Sequence, residues 1–288
     1  KLATPSFTPL QKIVDLTNAL CVLLAKIYYR GFRVDTDVLM EVRDEFKKEQ
    51  QALNLSLDKQ VQELMGDTPI NLASPEQLSS LIYSRKPTDK ATWASSFTPH
   101  MKRLDFAKGV KEHSTIVYKT KAISCPDCRG KGYNLAIKKD GSVGKAKRIC
   151  KTCERIGIVY LPQKQVAGLK FSAPASGWVA NHGFATNKGS LEKLEATARI
   201  NNLTFAQEFL HNIRRLSALD TYLSSFVDGI KTFTKEDKKL HVRLAQHRTT
   251  TGRLASDSPN LQNMPRAKTF PIKKVFRSRW PEGKIVDA

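Results

Sequence analysis

Acidic residues are scarce in this chain, and long apolar runs are missing. The 288 residues include 27 Asp and Glu against 48 Lys and Arg, which gives a formal net charge of +21. No apolar run approaches the length of a membrane span, and no charged-then-apolar leader precedes a cleavage site. We therefore expect an intracellular, cytoplasmic protein with no membrane partner. The apolar content of 40% allows a packed core, which argues against a disordered chain.

Cysteines are few, but four of the five form a pattern. Cys125 and Cys128 make one C-x2-C pair, and Cys150 and Cys153 make another, with 21 residues between the pairs. Two such knuckles present four thiolates to one tetrahedral ion if the intervening hairpin folds back. The sequence therefore predicts a structural Zn²⁺ site in a zinc-ribbon-like segment, with disulfide pairing as the less favoured alternative in a cytosolic chain. Cys21, in an apolar helical stretch, is expected to be a core residue.

The positive charge is concentrated in two blocks. Residues 85–170 hold 20 Lys and Arg against 6 Asp and Glu, and residues 231–288 hold 14 against 5. Residues 1–84 and 171–230 are close to neutral. Two basic blocks predict two contact surfaces for a polyanion, with a generally basic, soluble protein as the alternative interpretation.

Apolar spacing of three and four residues predicts a helix over 38–64, with Asp35 or Thr36 capping its start and Gly66 ending it. Ser74 to Gln77 and Thr204 to Gln207 have the pattern of capping boxes, and each predicts a helix.

After residue 230 the period changes. Alternation over Leu240 to Leu244 predicts one half-buried strand, and Lys284 to Asp287 predicts another. Residues 85–189, rich in Lys, Gly, Ser and Thr, are poorly helical and are expected to be an insertion.

One further motif is more specific than these patterns. The run TGRLASDSPNLQNMP, from Thr251 to Pro265, is followed about twenty residues later by a short apolar stretch that delivers Asp287. This pairing resembles the palm entry of family A DNA polymerases, the bacterial polymerase I group and its phage relatives. Asn71 to Leu78 is also similar to that family's NP-S--QL helix. Lys1 is not Met, and the chain ends within the motif that begins at Asp287, so we expect a piece of a longer enzyme.

The resemblance implies an α+β fold: a helical polymerase thumb and the first strands of an antiparallel palm sheet, with the zinc-ribbon-like segment inserted. The expected domains are a thumb entry segment at 1–35, thumb helices at 36–84, a basic zinc-binding insertion at 85–189, a returning thumb helix at 190–230 and the start of the palm at 231–288.

The resemblance also implies roles for individual residues. Asp287 is similar to the first catalytic aspartate that holds Mg²⁺ in these enzymes. Arg253 is expected to reach the minor groove at the primer end, where every base pair presents acceptors at nearly the same place. Asn260, Gln262 and Asn263 are expected to contact the template and primer, although Asn and Gln after a Ser-Pro turn also often bond loop backbone. Arg266 is similar to the family's basic residue after the final proline, displaced by one position.

The implied function is template-directed transfer of deoxynucleotides to a primer 3′ end. The expected partners are primer-template DNA, deoxynucleoside triphosphates in the complete enzyme, and a processivity partner. Two alternatives remain open at this stage: a non-catalytic, zinc-dependent nucleic-acid-binding protein, and one subunit of a split polymerase.

Overall fold

The computed structural model describes residues 8–85, 116–137, 141–172, 179–180, 183–280, 282–283 and 285. Contacts divide the chain into two compact units, unit 1 (Lys1–Ala52 and Leu216–Ala288) and unit 2 (Leu53–Arg215). The fold is α+β, as predicted, with helices and short antiparallel sheets. Within the described ranges, no helix is both long enough and apolar enough to cross a membrane.

The helices include the three that the sequence predicts. They are α1 Thr8–Arg30, α2 Thr36–Met65, α3 Pro75–Tyr83, α4 Lys188–Ile200, α5 Thr204–Thr221 and α6 Gly229–Phe233, with the π-helical turn Tyr222–Asp228 between α5 and α6.

The strands are short. They are β1 Phe32–Val34, β2 Tyr118–Ser124, β3 Tyr133–Ile137, β4 Val143–Ile149, β5 Ile158–Val166, β6 Val179–Ala180, β7 Gly183–Phe184, β8 Lys239–Leu240, β9 Arg243–Ala245, β10 Ala255–Asp257 and β11 Phe276–Arg277.

Helix α2 begins and ends at the residues that the sequence indicates. The Asp35 carboxylate accepts the backbone N–H groups of Asp37 and Val38, both at 3.2 Å, so Asp35 is the cap. Gly66 follows the last turn with φ of +70°, a conformation that glycine adopts without strain.

The start of α3 differs from the predicted capping box. The Ser74 hydroxyl donates to Glu76 at 2.7 Å and bonds no helix N–H, and Gln77 accepts the N–H of Asn71 at 2.7 Å. Pro75 at the first helical position has no N–H, so the first turn of α3 has one fewer donor without a partner, and the reciprocal bonds of the box are absent.

In unit 1, strand β1 is the centre of a three-stranded antiparallel sheet in the order β11-β1-β8. The prediction of a single strand over Leu240 to Leu244 was wrong. Leu240 pairs with Phe32 in this sheet, whereas Leu244 pairs with Ser256 in the separate β9–β10 ladder. The alternation continues across the break because Leu240 and Val242 are both buried, but the hydrogen-bond partner changes between them.

The core of unit 1 includes a cluster of aromatic rings. The Phe270 ring lies 4.5 Å from that of Phe46 and 4.9 Å from that of Tyr222, measured between ring centres. Cys21, by contrast, is exposed on α1, which corrects the prediction of a core residue. Most of the apolar side chains described on α1 are exposed, so an apolar sequence there does not place Cys21 in a core.

In unit 2, β2 pairs with β5 and β3 pairs with β4 in two separate antiparallel sheets, and these strands come between α3 and α4 in the sequence. We call residues 116–137 and 141–166 the ribbon. Its base is fixed to the end of α2, where the Asp67 carboxylate accepts the N–H of Ala122 at 2.7 Å and the hydroxyls of Thr68 and Thr120 lie 2.8 Å apart. The two ends of the ribbon meet there, since the N–H of Ala167 donates to the carbonyl of Val117 at 2.9 Å.

Candidate metal centre and nucleic-acid interface

The four paired cysteines lie between the β2–β5 ladder at the base of the ribbon and the β3–β4 hairpin. We call residues 125–137 and 141–157 the tip of the ribbon. Cys125 and Cys128 follow strand β2, and Cys150 and Cys153 follow strand β4. The antiparallel pairing of β3 with β4 brings the second pair back to the first, because Tyr133 is opposite Ile149 in the ladder. The predicted folding-back of the hairpin is confirmed.

The geometry of the four sulfur atoms fits one tetrahedral metal ion. All four lie within 4.8 Å of one another, with Cys125 Sγ 3.8 Å from Cys150 Sγ and Cys128 Sγ 3.5 Å from Cys153 Sγ. A Zn–S bond of about 2.3 Å places the corners of a tetrahedron about 3.8 Å apart. All four cysteines are buried and unbridged, so the group has the spacing of metal ligands and not of disulfides.

The pKa values of three of these thiols are shifted, and not all in the same direction. Burial raises the pKa of the Cys125 thiol, and it raises that of Cys153 to about 12. Burial also opposes ionisation of Cys150, but bonds from the backbone N–H groups of Cys153 and Thr152 and from neighbouring thiols lower its pKa to about 7. Four buried thiolates side by side repel one another, so a divalent cation is the partner that allows all of them to ionise.

Glycines let the two knuckles approach backbone to backbone. A Cβ at Gly132 would lie 2.3 Å from the Arg155 carbonyl oxygen, and one at Gly157 would lie 2.3 Å from that of Gly130. Gly132 and Gly157 also have φ of +75° and +76°. The sequence indicates tight turns at these glycines, whereas the contact between the knuckles is visible only in the structure.

Asp127 and Thr152 are a pair that sequence reasoning missed. The Thr152 hydroxyl donates to the Asp127 carboxylate. Each residue occupies the third position of its C-x-x-C knuckle. An alignment of the two knuckles with each other would have placed Asp127 opposite Thr152 and predicted the contact.

A second candidate site, in unit 1, is the loop that carries the TGRL-to-PNLQN motif. Strands β9 and β10 hold the two sides of the loop 246–254, with Ala245 opposite Ala255 and Arg243 opposite Asp257. Arg248 forms an ion pair with Asp257, and the Thr249 hydroxyl donates to the Arg253 carbonyl. These contacts fix the loop on both sides of Gly252.

Two of the predicted DNA-contacting amides bond the loop's own backbone. Gln262 donates through Nε2 to the carbonyl of Leu254 at 2.8 Å and accepts the N–H of Ser256 at 3.1 Å. Asn260 accepts the N–H of Gln262 at 3.1 Å and the Ser256 hydroxyl at 3.3 Å. Both side chains therefore hold the turn Leu261–Asn263 against β10.

The other predicted contacts face solvent. Arg253, Asn263 and Arg266 are exposed, and among the residues that the structure describes the guanidinium of Arg253 has no hydrogen-bond or ion-pair partner. Arg253 therefore lies next to Leu254, whose carbonyl Gln262 holds, and the Arg253 guanidinium is exposed to solvent. We call this support of the loop by Gln262 the brace. Asp287 and the predicted strand from Lys284 to Asp287 lie outside the described residues, apart from Ile285, which is not in a strand.

Comparisons with known proteins agree with this motif. Residues 164–288 match the family DNA polymerase family A. The chain is 31% identical to DNA polymerase I of Bacillus caldotenax over 113 residues, which is 39% of this chain and 11% of that protein. It is 34% identical to DNA polymerase I of Bacillus subtilis (strain 168) over 84 residues, 29% of this chain and 8% of that protein. The chain thus spans about a tenth of the length of these relatives.

Among solved structures, the POL domain of Pol1 from M. smegmatis, in complex with DNA primer-template and dNTP, aligns with 88% of this chain and 28% of its own. The identity is 18% and the TM-score is 0.46. The family match covers all the residues of the TGRL-to-PNLQN loop. Residues 164–288 of this chain are therefore similar in sequence to family A DNA polymerases.

Proposed function

We propose that this chain is part of a DNA-directed DNA polymerase that extends a primer on a DNA template. The observation that carries the proposal is the family match over 164–288, which contains the braced loop with Arg253 exposed. In this proposal residues 36–84 and 190–230 contribute to the thumb, 231–288 begins the palm, and 1–35 and 85–189 are the entry segment and the insertion.

The exposed side chains of the loop have distinct roles in this function. The Arg253 guanidinium tests the shape of the terminal base pair through acceptors that every pair presents in the minor groove. Asn263 and Arg266 contact the backbone of template and primer, and Asn260 and Gln262 keep the loop in the position from which Arg253 reaches the primer end. Because these contacts need no particular base, the site can copy any template.

Asp287 would supply carboxylate oxygen, the donor type that Mg²⁺ prefers, together with carboxylates from elsewhere in the complete enzyme. When bound, Mg²⁺ supplies charge neutralisation at the triphosphate and at the primer hydroxyl.

Primer extension by the complete protein, with Mg²⁺ and all four deoxynucleoside triphosphates, tests the proposal. Asp287→Asn should reduce extension to background while DNA binding is retained. Asp237→Asn, at an exposed turn of the same unit, is the control and should leave extension unchanged. Extension that survives Asp287→Asn, or a parent protein that does not extend primers, would refute the proposal.

We also propose that Cys125, Cys128, Cys150 and Cys153 bind one structural Zn²⁺. Four thiolates leave no open coordination position, so the metal folds the tip of the ribbon and takes no part in the reaction. Metal analysis of the purified chain should return about one zinc per chain. Replacement of all four cysteines by serine should remove the zinc and unfold the tip; a variant that keeps the tip folded without metal would contradict the assignment.

A further inference from the structure

The ribbon carries a large excess of cationic side chains. Within its described residues there are ten Lys and Arg against two carboxylates, Asp127 and Glu154. The cations are Lys119, Lys121, Arg129, Lys131, Lys145, Lys147, Arg148, Lys151, Arg155 and Lys164. The Asp127 carboxylate accepts a hydrogen bond from the Thr152 hydroxyl, so its partner is a neutral group and not one of these cations.

These cations are available for contact with a ligand. All except Lys119 are exposed. Lys119 donates to the carbonyl of Glu63 at 2.6 Å, and the Lys147 ammonium lies 4.5 Å from the centre of the Tyr133 ring. The other cations of the ribbon have no hydrogen-bond or ion-pair partner for their charged groups among the described residues.

Strand β4 carries three of the cations on a surface that is accessible from both sides. Lys147 is opposite Leu135 and Arg148 is opposite Asn134, so these two cations project from opposite faces of the hairpin. Lys145 precedes them on the same exposed strand. Cations on both faces of the hairpin can contact the phosphates on the two sides of a DNA groove, and such contacts require no contact with the bases.

The base of the ribbon is also closely packed. A Cβ at Gly66 would lie 2.2 Å from the Thr120 carbonyl oxygen, and one at Gly168 would lie 2.1 Å from that of Leu81, so its base packs directly on the backbone at the ends of α2 and α3. A platform that is fixed before binding loses less conformational freedom when it meets a ligand than a flexible basic tail does.

We infer that the ribbon binds the sugar-phosphate backbone of duplex DNA, with Lys145, Lys147 and Arg148 as central contacts. The inference rests on the proposed function for the choice of DNA as the polyanion, and on charge complementarity for the contact itself. Since the contacts are to phosphates, binding is independent of base sequence and releases counterions.

The test is the binding of a fluorescein-labelled DNA duplex to the complete 288-residue chain, measured by anisotropy at several salt concentrations. The triple variant Lys145→Gln, Lys147→Gln, Arg148→Gln should bind more weakly. The slope of log K against log salt should become shallower by about 0.9 for each phosphate that the variant no longer neutralises, or about 2.7 if all three side chains bind phosphates.

The matched control is Lys48→Gln, Lys59→Gln, Lys188→Gln, which removes the same charge from exposed positions outside the ribbon. Zinc content of each variant shows whether the ribbon remains folded. A second variant covers loss of folding: residues 124–158 are replaced by Asn-Gly, which joins the paired residues Ile123 and Val159 in a tight hairpin and keeps the base of the ribbon.

Weaker binding and a shallower slope in the ribbon variants alone support the inference. If the control triple has the same effect, only total charge matters and the inference is wrong; it is equally wrong if neither ribbon variant changes binding. Extension by the complete enzyme is measured separately, so unchanged duplex binding by the ribbon variants with intact extension would count against this inference and leave the proposed function in place.

Discussion

Both ends of the Gln262 side-chain amide are used inside the protein, which makes Gln262 a sensitive position. Gln262→Glu removes the donor to the Leu254 carbonyl and places two oxygen atoms against each other. We expect it to destabilise unit 1 by about 0.5–1.5 kcal/mol. Asn263→Asp introduces the same charge at an exposed neighbouring position and should cost much less. Chemical denaturation of the two variants, followed by circular dichroism, measures the difference, and equal losses would contradict the brace.

Gly157 is constrained by space as well as by backbone conformation, and Gly141 is constrained by conformation alone. Both have positive φ, but a Cβ at Gly141 would meet nothing within 4 Å. Gly141→Ala should therefore cost only about 1–2 kcal/mol for the left-handed backbone. Gly157→Ala must also push the two knuckles apart, and it should lower zinc affinity more. Competition with a chelator compares the two variants; similar affinities would show that the knuckles can separate without cost.

At the residue scale, the sequence predicted which side chains come together better than it predicted which side chains support a loop. The convergence of the four cysteines could be predicted because two C-x2-C pairs at this spacing fold back on each other. Gln262 and Asn260 could not be separated from Asn263, because a DNA contact and a bond to loop backbone use the same amide groups. The resemblance assigns roles to residue types, while the choice between a brace and a contact depends on which backbone atoms the fold brings within hydrogen-bonding distance.

At the scale of single elements, Asp35 links the start of α2 to a dependence on pH. The N–H of Val38 is the main cause that lowers the pKa of Asp35 below its ordinary value of 3.8, despite burial, and Arg277 lowers it further. A carboxylate with a lowered pKa stabilises the fold fully above its unfolded pKa, and the stabilisation is lost as the pH falls through the folded value.

Asp35→Ala should accordingly reduce stability by about 1 kcal/mol near neutral pH, and the gap from the parent protein should close below pH 3.8. Asp44→Ala, at an exposed position further along the same helix, is the control. Urea denaturation at a series of pH values provides the measurement. A gap that persists unchanged into strong acid would show that Asp35 does not act as an ionised cap.

Helices were easier to predict than the sheet to which they connect. Helix α2 follows from apolar spacing and from Asp35 and Gly66 at its ends, which are local signals. The prediction of a capping box at Ser74 was wrong because the Gln77 side chain accepts the N–H of Asn71 and not that of Ser74. The sheet β11-β1-β8 joins segments more than two hundred residues apart, and strands of two or three residues carry too little pattern to indicate their partners.

For the whole molecule, the replacement of residues 124–158 by Asn-Gly gives a prediction about processivity. In the complete enzyme this variant should make shorter products per binding event, because it lacks most of the ribbon's cations, while incorporation of a single nucleotide stays nearly intact. Extension with an excess of trap DNA measures the products of one encounter. Unchanged product length would indicate that the ribbon does not hold the duplex during synthesis.

The bond between Val117 and Ala167 makes the ribbon a closed side branch of the chain. Helices α2 and α5 meet across 148 residues at the Gln60–Glu208 hydrogen bond, and about 50 of those residues lie within the branch. The entropic free energy of closing this loop is only about 0.4 kcal/mol greater with the branch than without it, since that free energy grows with the logarithm of loop length. The helical scaffold therefore carries the branch at almost no cost in chain entropy. Removal of zinc by a chelator should therefore unfold the tip of the ribbon and leave helices α2 and α5 folded.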